Sequence, residues 1–108
     1  MYLLVIVSCL CVKVANAKVH CGAVGDGFAD DGKALQRCLE THTIVVVPKG
    51  FFRLGKTLVL SRPNSALVGV GRSTTVLMPT HNNFEGDVLI RVTAPNITVH
   101  QLSYVTFW

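Results

Sequence analysis

The 108-residue sequence has little charge and no long apolar run. Charged residues make up 15 % of it, and beyond Lys13 the basic ones stand singly at Lys18, Lys33, Arg37, Lys49, Arg53, Lys56, Arg62, Arg72 and Arg91. Proteins that bind nucleic acid gather such residues on one face with aromatics between them, so no nucleic-acid partner is expected. Crossing a bilayer takes roughly 20 apolar residues, and the longest apolar run, Leu3 to Val12, falls well short, so no membrane span is expected either. Zinc signatures need paired cysteines and histidines, and no such His pair accompanies the cysteines. Phosphate loops are also missing. Gly22, Gly25 and Gly27 have the wrong spacing, and Gly69-Val70-Gly71-Arg72-Ser73 carries Arg where Lys belongs.

The apolar run does suit a leader. It is followed by Ala15-Asn16-Ala17, the small-residue pattern of signal-peptidase sites, which predicts a signal peptide over 1–17 and a secreted product beginning at Lys18. Cys9 and Cys11 would leave with it. An oxidising compartment then favours a disulfide between Cys21 and Cys38, the alternative being two separate buried thiols. Asn96-Ile97-Thr98 is a glycosylation sequon, usable if Asn96 lies at the surface.

Beyond the leader, one helix is expected over Asp31–Glu40. Ala34, Leu35, Cys38 and Leu39 recur on one stripe, and Asp30 and Asp31 stand where a carboxylate can cap the first-turn amides. After Thr41 the pattern is β-rich. Strands are predicted at Ile44–Val47, Phe51–Leu54, Thr57–Leu60, Ala66–Val68, Thr75–Met78, Val88–Val92 and Ile97–Phe107, each bounded by Pro, Gly, Asn or Ser. An internal echo links residues 57–70 with 89–102. It sets Leu58 against Ile90, Leu60 against Val92, Pro63-Asn64 against Pro95-Asn96, and Leu67 against Val99, as expected of a stacked strand-corner-strand repeat.

Three stretches, "CGAVGDGFADDGKALQRCLE", "TIVVVPKGFFRLGKTLVL" and "SALVGVGRSTTVL", together resemble the N-terminal region of the pectate lyase superfamily, the group with rhamnogalacturonase-like, polygalacturonase-like and exo-β-1,3-glucanase-like members. Lys49 and Gly32 depart from the family pattern, which often has proline and threonine there. The resemblance implies an all-β solenoid: residues 18–108 would form the N-terminal part of a single-stranded right-handed parallel β-helix, with one short capping α-helix and the first two to three coils. It further implies that the chain is the front piece of a longer secreted protein acting on polysaccharide, by glycosidic hydrolysis or pectate-type β-elimination. A non-catalytic carbohydrate-binding, adhesin or tailspike-like role is the alternative.

Catalytic carboxylates are hard to find. Adjacent Asp30 and Asp31 at a helix start point to different sides, whereas a paired mechanism needs both aimed at one bond, about 5 to 10 Å apart. Glu85 and Asp87 are the remaining candidates, because residues two apart on a strand share a face, although "THNNFEGD" also reads as a solvated turn. An EF-hand-type calcium loop fails at Phe28, two residues after Asp26. No cofactor is therefore expected, and calcium enters only if the longer protein is a lyase. His20, His42, His81 and His100 read as surface residues, and Tyr104, Phe107 and Trp108 as packing groups. These residues alone are expected to show no turnover.

Overall fold

The computed structural model describes residues 13–80 and 84–104. Strand β1 (Val14–Asn16) leads straight into helix α1 (Ala17–Cys21), whose first amides, at Lys18 and Val19, donate to the Asn16 side chain at 2.9 and 3.2 Å. Gly22 ends the helix in the left-handed region at φ 81°. Strand β2 (Asp26–Asp30) follows, then helix α2 (Gly32–Thr41). The predicted stripe faces inward: Leu35, Cys38 and Leu39 are buried and Ala34 packs beside them.

The remaining strands are β3 (Ile44–Val47), β4 (Gly50–Leu54), β5 (Lys56–Leu60), β6 (Ala66–Gly69), β7 (Thr75–Pro79), β8 (Glu85–Val92), β9 (Thr98–His100) and β10 (Ser103–Tyr104). Among the described residues all pairings are parallel, in three sheets ordered β1-β3-β6-β9, β10-β7-β4-β2 and β5-β8. Alternation sets the inward face. Val45 and Val47, Phe52 and Leu54, and Leu58 and Leu60 are buried while the residues between them are not. With Leu67, Leu77 and Leu89 they form one core with the inner faces of both helices.

The echo becomes physical register. Leu58 pairs with Ile90, Leu60 with Val92 and Leu67 with Val99.

Two expectations, the fold class and the last strand, are corrected. The class is not an all-β solenoid with a single capping helix. Two helices supply Ala17, Cys21, Leu35, Cys38 and Leu39 to the core, and the strands divide among three separate short parallel sheets, which makes a small α/β domain. Ile97–Phe107 is not one strand, because Gln101 turns left-handed at φ 59° and splits β9 from β10. The expected boundary at 17/18, which these observations leave as an expectation, falls one residue into α1. Ala15 and Ala17 are buried there, and β1 pairs with β3, so a cut after Ala17 would remove a strand and the Asn16 cap. The apolar run Leu3 to Val12 lies outside the described residues.

Candidate functional site

The aspartate-rich segment is densely hydrogen-bonded, and its geometry follows from where backbone amides need acceptors. Asp26 Oδ1 accepts from Phe28 N and Ala29 N, both at 2.9 Å. Those two bonds, Ala29 first, hold the Asp26 carboxyl below its ordinary value. Asp30 Oδ1 accepts from Gly32 N at 2.9 Å and from Gly55 N at 3.0 Å, tying the start of α2 to the β4–β5 junction.

Asp31 behaves differently from the sequence expectation. It occupies the N-cap position of α2 but makes no side-chain capping bond. Its buried carboxylate instead reaches back to Val24 N and Gly25 N, one oxygen to each, at 2.9 Å. Gly25 is required there: its φ is 71°, and a side chain would press on the Phe52 ring. Of the two predicted caps, Asp30 serves the first-turn amide and Asp31 pins the preceding turn. Arg53 adds a cross-tie, donating from Nε to Gly27 O at 2.9 Å and from Nη1 to Pro79 O at 2.8 Å.

Glu85 and Asp87 lie in strand β8 and not in a turn. The register of β8 against β5 shifts between the Lys56–Glu85 and Leu58–Ile90 pairs, and Gly86 between the two acids has φ 129°. The simple rule that residues two apart share a face therefore does not apply to them. Glu85 is exposed.

The disulfide is present. Cys21 at the end of α1 is bonded to Cys38 in α2, with Cα atoms 5.7 Å apart. Asn96 is exposed, as glycosylation requires, and its Nδ2 donates to Asn64 Oδ1 at 2.9 Å. Of the histidines, His20 and His100 are exposed, as expected, but His42 is half-buried, its Nδ1 lying 2.9 Å from Thr41 Oγ1 and 3.2 Å from Cys38 O. His81, Phe107 and Trp108 lie outside the described residues.

The bonding roles of Gln36 and Asn64 were not read from the sequence. Gln36 Nε2 donates to Val59 O and Gln36 Oε1 accepts from Val59 N, both at 2.9 Å, so its amide pairs with β5 as a neighbouring strand would. Asn64 partners the sequon. Only the repeated Pro-Asn corner hinted at the second; a glutamine on a helix gave no signal for the first.

No protein-family profile matches the chain, and neither does any curated protein. Among solved structures the chain is similar to "Geobacillus virus E2 - ORF18", at 21 % identity and a TM-score of 0.72. That likeness covers 94 % of this chain and 22 % of the viral one, so the chain spans about a fifth of its neighbour's length. The likeness concerns the fold.

Proposed function

We propose that the chain is the N-terminal scaffold of a secreted protein acting on polysaccharide, and that the cleaving groups lie outside these residues. The observation that supports this reading is the employment of the aspartates. Asp26, Asp30 and Asp31 each accept two backbone amides, which fits them for holding turns and leaves them badly suited to exchange protons with a substrate. The sequence resemblance to the pectate lyase superfamily supports polysaccharide as the substrate class.

The test is a pair of assays for reducing sugar and unsaturated product, on pectate, rhamnogalacturonan and β-1,3-glucan. The 108-residue chain should release nothing, and the product extended by the downstream coding sequence should release one or the other. Turnover by the short chain would overturn the scaffold reading. Failure of the extended product to cleave or bind any glycan would overturn the polysaccharide reading. Binding without cleavage would favour the non-catalytic, tailspike-like role, which the likeness to a viral protein makes the second reading.

A further inference from the structure

The disulfide has a neighbour that the scaffold role does not use. Cys21, Cys38 and His42 each present one ligand atom, and the three atoms lie within 4.8 Å of one another. Tetrahedral zinc, with bonds of about 2.3 Å to sulfur and about 2.0 Å to nitrogen, holds its ligand atoms roughly 3.5 to 3.8 Å apart. Breaking the S–S bond frees the two sulfurs to rotate apart to that spacing from Cα atoms 5.7 Å apart, and His42 closes from within 4.8 Å. Cys38 and His42 are four apart at the end of α2, and the backbone bond from His42 N to Cys38 O, at 3.0 Å, keeps the imidazole over the last turn. The contacts of Nδ1 with Thr41 Oγ1 and Cys38 O orient the ring. Both cysteines are buried, whereas His42 is partly open, which gives an ion a route from solvent.

We propose that, once the Cys21–Cys38 bond is reduced, the two sulfurs and a ring nitrogen of His42 form a three-ligand site for a thiophilic divalent cation such as zinc, with solvent in the fourth position. A dithiol reductant supplies the electrons: the protein S–S bond breaks, two protein thiols form, and the reductant leaves as its own disulfide. The cation then displaces the two thiol protons to solvent with no change in its oxidation state. In the oxidised chain both sulfurs are committed to each other and neither is a thiolate. Disulfide and metal are thus alternative clasps between α1 and α2, one for each redox condition.

Cobalt(II) is the probe, added to the full chain carrying Cys9→Ser and Cys11→Ser so that Cys21 and Cys38 are the remaining thiols. After reduction and removal of the reductant without air, one cobalt per chain should bind. It should show a thiolate charge-transfer band and the strong visible absorption of tetrahedral cobalt, release about two protons, and be displaced by zinc. The oxidised chain should bind none. His42→Ala keeps both cysteines, and circular dichroism of its oxidised form checks its fold; its reduced form should bind cobalt at least about tenfold more weakly, since losing a direct ligand costs no less than losing the groups that merely orient one. A reduced chain that takes up no stoichiometric cobalt, whether folded or unfolded, overturns the proposal. So does a His42→Ala chain that binds as tightly as its parent.

Discussion

The side-chain amide of Asn96 donates to the side-chain carbonyl of Asn64, 2.9 Å away and 32 residues earlier. Both residues sit left-handed, at φ 58° and 60°, a region that asparagine tolerates better than other residues with a β-carbon. Pro63 and Pro95 precede them, and Asn64 N donates to Pro95 O at 3.2 Å. The two corners therefore stack on each other through backbone and side chain together.

Replacing Asn64 separates the two contributions. Asn64→Ala should cost about 1–2 kcal/mol, from the left-handed backbone and the lost bond together. Asn64→Gly, which relieves the backbone and loses only an exposed bond, should cost less. Urea midpoints of the two variants check the order; equal losses would mean that the backbone conformation carries no cost.

The buried clamp of Asp31 predicts a larger effect. Asp31→Ala strands the amides of Val24 and Gly25, and bonds to a charged acceptor contribute about 1.5–3 kcal/mol each. A loss of about 3 kcal/mol is expected in equilibrium unfolding. Asp31→Asn, which keeps one acceptor, should lose roughly half of that.

Asp26 predicts a pH dependence. Its folded carboxyl titrates below the ordinary value of 3.8, so its contribution is present above that value and is lost as pH falls through the depressed one. Stability should therefore drop below about pH 4. Asp26→Asn should flatten that acid limb by lowering stability in the neutral range while changing it little near pH 2, as thermal melts from pH 2 to pH 7 would show.

The N-terminal boundary is equally open to measurement. A chain beginning at Lys18 lacks β1, the Asn16 cap and buried Ala15 and Ala17. It should be less stable than one beginning at Lys13 by about 2 kcal/mol or more, a cap alone being worth about 1. Equal midpoints for the two chains would show that β1 adds nothing.

How legible all this was depended on the range of the interaction. The stripe of α2 and the runs Ile44–Val47 and Thr57–Leu60 are local patterns, and the sequence placed them within a residue or two. The 57–70 and 89–102 echo gave the strand register because stacked units must put like residues over like. Strand β2 was missed because "DGFAD" carries no strand signal and owes its conformation to pairing with Phe51 and Arg53. Ala15-Asn16-Ala17 was read as a cleavage motif because small residues suit a peptidase and a tight strand–helix junction alike. Helix α1 was missed because Ala17–Cys21 is too short to show a periodic apolar stripe. Asp31 was misassigned for a similar reason: an aspartate before a helix looks like a cap unless the fold-back of Val24 and Gly25 is known.

The amide of Gln36 has one last consequence. Because it occupies both backbone polar groups of Val59, no further strand can pair with β5 at that residue. A glutamine on a helix thereby interrupts, from outside the sheet, the row of hydrogen-bonding groups along which another chain could add itself.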